Sequence, residues 1–139
     1  MFGYVLLFVI IFVIGMSIRT LFIPYALQKK FLSWESFIYL IFIYVTIFLG
    51  FGLSYFIFLQ NGYSVLLENG KEVKGFTKSI QTSFYFSGMT LFSVGYGDVT
   101  PAGFGRFIAV IEALIGYTIP ASFVVRTVID FRKERNHNI

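Results

Sequence analysis

The sequence predicts an all-α membrane protein with three transmembrane helices and a shorter re-entrant helix that leads into a glycine-rich loop. Of its 139 residues, 57% are hydrophobic, 21% are aromatic and only 13% are charged, about half the charged share usual in soluble domains. The eleven basic and seven acidic residues leave long stretches of chain without any charge. So few charges cannot cover a water-soluble surface, which excludes a soluble globular enzyme, a disordered tail and a coiled coil.

Three apolar stretches are candidate membrane spans, because a bilayer core of about 30 Å needs roughly 20 apolar residues of helix. The second and third, residues 38–58 and 105–128, meet that length. The first, residues 1–18, extends only about 27 Å at a helical rise of ~1.5 Å per residue. It therefore spans the bilayer only if its helix continues past Arg19 and that side chain reaches the interface. Residues 20–35 mix apolar and basic side chains, as a cytoplasmic interfacial helix does.

The uncharged stretch at residues 79–97 differs from the candidate spans because polar residues and glycines interrupt it. With Thr77 or Ser79 as its N-cap, it predicts a helix of about a dozen residues that runs into the glycines. Such a helix is too short to cross the bilayer, so we expect it to enter and leave on one side. Upstream, residues 65–73 carry Asn-Gly between short alternating runs, which predicts a small β-hairpin.

The basic residues orient these elements in the cell membrane. Seven lie between the first two candidate spans or after the third, and four lie elsewhere: Arg19, Lys29, Lys30, Arg126, Arg132, Lys133 and Arg135, against Lys71, Lys74, Lys78 and Arg106. The positive-inside tendency places the seven in the cytoplasm and the re-entrant segment outside. We therefore expect a multi-pass protein with a cytoplasmic C-terminus and an extracellular N-terminus. Because the basic residues alternate with apolar segments, the expected partner is membrane lipid and not nucleic acid.

Residues 90–98, Thr-Leu-Phe-Ser-Val-Gly-Tyr-Gly-Asp, carry the most specific signal. They follow an aromatic-rich helical segment and precede the last candidate span. In this setting the string resembles the filter Thr-Val-Gly-Tyr-Gly-Asp of the tetrameric potassium-channel pore-domain superfamily. The closest pattern is the two-transmembrane pore-loop type found in bacteria, here with an extra N-terminal helix. The resemblance covers roughly residues 34–135 and implies a homotetramer with the pore on its fourfold axis.

The resemblance also divides the chain into three parts. Residues 1–33 would form the N-terminal transmembrane helix and its cytoplasmic interfacial segment. Residues 34–128 would form the ion-channel pore domain, with an outer helix, an extracellular turret, a pore helix, a filter and an inner helix. Residues 129–139 would form a cytoplasmic polar tail.

The filter of this family replaces the water shell of K⁺ with rings of protein oxygens. The resemblance therefore implies K⁺ sites at Ser93, Val94, Gly95 and Tyr96, within a filter that ends at Gly97. Aiming successive carbonyl groups at one axis requires a backbone of alternating handedness. Left-handed positions favour glycine, which accounts for the two glycines between bulkier residues.

Residues around the filter are expected to hold it open and to gather ions. The side chains of Val94 and Tyr96 should point away from the axis and pack against the preceding helix. The predicted filter-support residues are Phe84, Tyr85, Phe86, Thr90 and Glu112. Asp98 would lie at the outer mouth, where a carboxylate concentrates cations.

Three residues of the last span complete the candidate site. Glu112 is the only acidic residue well inside a span, and such groups are costly there. Its position favours hydrogen bonding behind the filter or to a neighbouring subunit over lining the inner cavity. Gly116 and Pro120 are candidates for a gating hinge, since the family often carries a glycine near this position. Close packing of small residues against a neighbouring helix is the equal alternative.

The implied function is a potassium-selective ion channel that passes K⁺ passively and is not an enzyme. No cofactor is expected besides K⁺ as the permeant ion, and the sequence does not indicate a gating stimulus or a regulatory partner. Three departures from the family pattern concern conductance and filter stability. Ser93 stands where threonine is usual, Phe92 where a small residue is common, and Met89 where some members carry a carboxylate. Because Ser93 and Phe92 loosen the pattern, a weakly selective cation channel is one alternative, and a non-conducting structural subunit of a channel complex is the alternative from another class.

Overall fold

A computed structural model of the chain describes residues 2–22 and 34–137. Within these ranges the chain forms four helices and three short strands: α1 (Phe2–Phe22), α2 (Trp34–Gln60), β1 (Leu66–Glu68), β2 (Lys71–Glu72), α3 (Phe76–Leu91), β3 (Val99–Pro101) and α4 (Gly105–His137). Most of the expected interfacial helix at residues 20–35 lies outside the described residues.

Two of the three expected spans are long and apolar enough to cross a membrane. These are Phe37–Gln60 within α2 and Gly105–Val125 within α4. The first helix continues past Arg19 to Phe22, as the length argument required, and its 21 residues correspond to about 31 Å. Among the residues that the structure describes, two helices are therefore long and apolar enough to span a membrane, and a third crossing by α1 stays a prediction.

The first helix packs along α2 in the opposite direction. Leu7 and Ile10 form a buried cluster with Ile57 near the end of α2. Further along α1, Ile14 lies over Gly50, where an added Cβ would come within 2.7 Å of the Ile14 Cδ1 atom. Because early residues of α1 meet late residues of α2, the N-terminus lies at the same end as the C-terminus of α2.

The short helix α3 runs back along α2 for about half a span. At its middle the Phe84 ring covers Gly52, leaving no room for a Cβ there. At its end the Phe92 ring stacks on Tyr44 with centroids 5.7 Å apart. Tyr44 lies eight residues before Gly52 on α2, as Phe92 lies eight residues after Phe84, so this half of α3 descends about 12 Å beside α2. It lies between α2 and α4 and contacts both.

A small antiparallel sheet closes the end of the molecule where α3 begins. We call residues 61–75 the turret. The predicted hairpin is confirmed there: Asn69 and Gly70 both have positive φ, at 50° and 75°, as a type I′ turn requires. The strand order is β2-β1-β3, and β3, which follows the filter, pairs with β1 through Leu67 and Thr100. This third strand was not predicted. It brings the chain back to the end from which α3 started, so the α3 segment is re-entrant.

The predicted start of α3 is wrong. The helix begins at Phe76, follows Gly75 with φ 96°, and has no side-chain cap. Neither Thr77 nor Ser79 is the N-cap, because both already lie in the first turn, where the Ser79 N–H bonds to the Gly75 carbonyl at 2.9 Å. The helix therefore has 16 residues instead of about a dozen.

The last helix is longer than the predicted span. It begins at Gly105, where any Cβ would run into the Val65 carbonyl of the turret. It continues through Pro120 and past residue 128 to His137 without interruption. The predicted boundary between the pore domain and the polar tail at residue 129 therefore coincides with no end of secondary structure.

Candidate functional site

The loop after α3 has the alternating backbone that the filter prediction required. Ser93 and Gly95 both have φ 57°, and Gly97 has φ 85°, whereas Val94 and Tyr96 between them are not in the positive-φ region. The prediction of left-handed glycines is confirmed, and the pattern extends to Ser93. A left-handed conformation costs a residue with a Cβ about 1–2 kcal/mol. The loop thus holds strain at Ser93, the position where threonine is usual.

Backbone hydrogen bonds from the last turn of α3 anchor the start of this loop. The Ser93 N–H donates to the Thr90 carbonyl at 3.0 Å. The N–H groups of Val94 and Gly95 both donate to the Met89 carbonyl, at 2.8 and 3.2 Å. Thr90 therefore supports the loop through its backbone. The carbonyl end of α3, which carries the negative end of the helix dipole, lies directly beneath the loop.

The predicted packing of Val94 and Tyr96 against the aromatic residues of α3 stays a prediction. Val94 and Tyr96 are 54% and 78% exposed. Phe84 and Phe86 face α2 instead, and Phe86 meets the Tyr55 ring edge-on at 5.2 Å between centroids. The reason is that α2 offers these rings a complementary apolar surface within the chain. Phe84 and Phe86 thus hold α3 against α2.

The outer end of the loop is tied to both α3 and the turret. The Tyr85 hydroxyl donates to Asp98 Oδ1 at 3.0 Å. The Asp98 carbonyl accepts the Asn69 N–H at 2.8 Å. Of the three predicted aromatic supports, Tyr85 therefore hydrogen-bonds to the outer end of the loop, at Asp98.

Charged side chains of the turret pair with one another near this mouth. Lys74 lies 3.2 Å from Glu72, and the Ser64 hydroxyl donates to the same carboxylate at 3.0 Å. These hydrogen bonds from Lys74 and Ser64 hold the pKa of Glu72 below its ordinary value. Glu68 accepts a hydrogen bond from the Thr82 hydroxyl at 3.0 Å, which joins β1 to the first turns of α3.

The carboxyl group of Glu112 is fully buried behind α3 within one chain. The Tyr55 hydroxyl of α2 donates to its Oε2 atom at 2.9 Å. The Ser87 hydroxyl of α3 lies 2.5 Å from its Oε1 atom and 3.1 Å from the Phe48 carbonyl of α2. These contacts within one chain agree with the expected hydrogen bonding of Glu112 behind the predicted filter. One side chain of α4 thereby connects all three pore-domain helices.

Sequence reasoning missed Tyr55 and Ser87 as partners of Glu112. A signal for Ser87 was present, because serine recurs every four residues at positions 79, 83 and 87, along one face of α3. All three serines are buried. No comparable signal singled out Tyr55, since α2 carries several tyrosines and only the packing decides which one faces α4.

Gly116 lies where α4 passes closest to the end of α3. A Cβ at this position would run into the Leu91 carbonyl, and the Gly116 carbonyl accepts a hydrogen bond from the Tyr44 hydroxyl at 2.8 Å. Of the two open alternatives, this geometry agrees with close packing. Pro120 lies within the continuous helix α4 and is exposed.

Within the described residues, no group of three or more His, Asp or Glu side chains is placed to hold a metal ion. The chemically distinctive feature of the site is therefore its backbone: a short helix between two span-capable helices, followed by a loop of alternating handedness. This arrangement defines a pore-loop membrane protein.

The family described as "Ion channel" matches residues 43–133. The chain belongs to this family of two-transmembrane pore-loop channels, so it is an ion channel and not an enzyme. It is 48% identical to Protein LctB of Bacillus caldotenax over 101 residues, covering 72% of this chain and 75% of the relative. It is 49% identical to Protein LctB of Geobacillus stearothermophilus over 100 residues, covering 71% and 75%. No solved structure matches the chain.

Proposed function

We propose that this channel is potassium-selective and passes K⁺ passively, down its electrochemical gradient, through a homotetrameric filter. The observation that carries the proposal is the alternation of positive φ at Ser93, Gly95 and Gly97. Alternating handedness turns successive carbonyl groups to one side of the chain. Four copies around one axis would then form the stacked oxygen rings that replace the K⁺ water shell.

The proposed ions would bind at the carbonyl oxygens of Ser93, Val94, Gly95 and Tyr96, with the Ser93 hydroxyl adding an oxygen at the inner end. Asp98 would concentrate cations at the outer mouth. Its hydrogen bond from Tyr85 supports this assignment, because it holds the carboxylate beside the end of the loop.

A fourfold assembly is supported by the exposure of the loop. Residues 92–97 are all exposed in a single chain, and irregular backbone at membrane depth must be covered by protein or line a water-filled cavity. The α4 side chains Phe107, Val110 and Leu114 are about 60% exposed and would supply apolar contacts to a neighbouring copy. Closure around an axis provides both the cover and the cavity.

The proposed topology places the turret and the N-terminus outside and the C-terminus in the cytoplasm, with α1 as a third span. The antiparallel packing of α1 on α2 supports a common side for the N-terminus and the turret. Because the chain has no cysteine, Lys71→Cys and His137→Cys can each be labelled in intact cells with a membrane-impermeant thiol reagent. Labelling of Lys71→Cys alone is expected, and labelling of His137→Cys alone would reverse the proposed orientation.

Ion flux from the full-length chain in liposomes tests the function. Under bi-ionic conditions with K⁺ inside and Na⁺ outside, the reversal potential should be strongly negative on the inside, as K⁺ selectivity requires. Barium should block the current. Potassium flux without discrimination against Na⁺ would establish the weakly selective cation channel instead. Absence of flux in protein shown to be tetrameric would support the non-conducting structural subunit.

One observation favours the weakly selective alternative over the structural one. Ser93 is held at φ 57°, a strained conformation for a residue with a Cβ, and serine lacks the methyl group that restricts a threonine rotamer. A looser inner ring would weaken selectivity without closing the pore. Ser93→Thr should therefore sharpen discrimination against Na⁺ if the wild-type channel selects weakly.

A further inference from the structure

The hydrogen bonds around Glu112 require one more hydrogen than their neutral partners supply. Three contacts are made: Tyr55 to Oε2 at 2.9 Å, Ser87 to Oε1 at 2.5 Å, and Ser87 to the Phe48 carbonyl at 3.1 Å. The hydroxyl groups of Tyr55 and Ser87 carry one hydrogen each. An ionised Glu112 would therefore leave one of the two Ser87 contacts without a donor.

A protonated Glu112 satisfies all three contacts as a continuous series of hydrogen bonds. The Tyr55 hydroxyl donates to Oε2, the Oε1–H group donates to the Ser87 oxygen, and the Ser87 hydroxyl donates to the Phe48 carbonyl. Each oxygen then accepts or donates as its chemistry allows. This series of hydrogen bonds is continuous from α2 through α4 and α3 and back to α2.

Surrounding charges do not favour an ionised carboxylate at this position. Among the described side chains of α2, α3 and α4, no cation pairs with Glu112. Lys78 pairs with Glu68, Arg106 bonds to the Pro101 carbonyl, and the tyrosines are uncharged: Tyr55 bonds to Glu112 itself, Tyr44 to Gly116 and Tyr85 to Asp98, while Tyr39 and Tyr117 are exposed. Among the described residues, both ion pairs lie in or beside the turret. A fully buried carboxylate with no cation beside it is costly to ionise.

We propose that Glu112 carries a proton in the conducting channel and that, with Tyr55 and Ser87, it positions α3 beneath the filter. This inference rests on the channel function proposed above. Removal of the proton at alkaline pH would take the Ser87 hydrogen from the Phe48 carbonyl and would leave a buried charge. The end of α3, which anchors the filter loop through Met89 and Thr90, would then shift.

The protonation of the Glu112 carboxyl group can be tested without measuring ion flux. Infrared spectra of the full-length protein in liposomes at neutral pH should contain a carbonyl band of a protonated carboxyl group. The band should be absent in Glu112→Gln and retained in Glu68→Gln, the matched change at a turret carboxylate. A wild-type spectrum without the band, or a band that survives in Glu112→Gln, would overturn the inference.

The positioning role is tested by the pH profile of K⁺ flux. Glutamine can accept from Tyr55 and donate to Ser87 but cannot ionise, so Glu112→Gln should retain neutral-pH flux within about twofold. Wild-type flux should fall as the pH is raised, and the flux of Glu112→Gln should not. Equal alkaline loss in both proteins would overturn the role. Wild-type protein without flux at neutral pH would instead contradict the proposed function, while the infrared band would still decide the proton.

Serine variants test whether the two hydrogen bonds of Ser87 matter beyond the simple loss of a buried hydroxyl group. Ser87→Ala removes the contacts of this hydroxyl with Glu112 and with the Phe48 carbonyl, and it should lower flux about fivefold or more. Ser54→Ala is the matched control, because Ser54 is also buried and its hydroxyl bonds only to Gly50 within its own helix, at 2.8 Å. Equal effects of the two changes would overturn the role of Ser87.

Discussion

The buried face of α3 and the loop that follows it differ in how complete they are within one chain. The buried residues of α3 are Ser79, Thr82, Ser83, Phe86, Ser87 and Leu91, and they pack against α2 and α4 of the same chain. The filter loop at residues 92–97 is exposed throughout. A single chain therefore covers one face of α3, whereas it leaves the loop open to contacts from outside the chain.

This contrast separates two kinds of constraint on sequence. On the buried face, a side chain must match neighbours that fold with it, as Glu112 matches Tyr55 and Ser87. In the loop, a residue must tolerate a strained backbone conformation, which would serve conduction only in the proposed tetramer. Substitutions on the buried face should therefore affect the fold of each subunit. Substitutions in the loop should affect conduction first.

The largest expected effect comes from adding a methyl group to the filter backbone. Gly97→Ala places a Cβ at φ 85°, which costs about 1–2 kcal/mol in each subunit, and it does so in all four filters. We expect K⁺ flux to fall at least about tenfold, with the tetramer still formed.

Gly62→Ala is the matched control for this change. Gly62 has φ 84°, and like Gly97 it has nothing within 4 Å of an added Cβ, but it lies in the turret. The two variants should lose similar thermal stability, and only the filter variant should lose flux. Equal flux in both variants would mean that the alternating backbone is not the conduction path.

An intermediate effect is expected where α4 meets the end of α3. Gly116→Ala drives a methyl group into the Leu91 carbonyl, and such overpacking costs about 1–3 kcal/mol. The melting temperature of the purified channel should fall. Gly15→Ala, also inside a helix but with open space around the added Cβ, should not lower it, because alanine favours the helix over glycine. Unchanged stability of Gly116→Ala together with an altered open probability would favour the hinge over the packing interpretation.

The smallest effect is expected at the point that links the two regions. Tyr85→Phe removes the hydrogen bond to Asp98, a contact with a net contribution of about 0.5–1.5 kcal/mol. Single channels should remain conductive for times about 2- to 10-fold shorter. Tyr39→Phe, at an exposed position on α2, is the control and should behave as wild type. A selectivity change in Tyr85→Phe would place this hydrogen bond within the ion-binding region instead of behind it.

Local sequence was sufficient for the features that depend on neighbouring residues alone. The absence of charge predicted the helices α2 and α4, Asn69 and Gly70 predicted the hairpin, and Gly95 and Gly97 predicted left-handed backbone. Each of these follows from the hydrophobicity or the φ preference of a few residues. The N-cap of α3 was predicted wrongly because the prediction used only the side chains that commonly cap helices. Gly75 precedes the helix without a side-chain cap, and the helix begins at Phe76, earlier than predicted.

Only the tertiary structure decided which residues meet across the chain. Side chains on α2 are too similar for a pattern to reveal that Tyr55 faces Glu112, that Gly52 makes room for Phe84, or that Tyr44 reaches Gly116. The sequence by itself predicted a membrane protein with a re-entrant, glycine-rich segment. The free energy of transferring apolar side chains from water into the bilayer and the φ preferences of glycine are both local properties of the chain. How α3 is held was decided by three helices packing together, because hydrogen bonds and close contacts between distant residues exist only after the chain has folded.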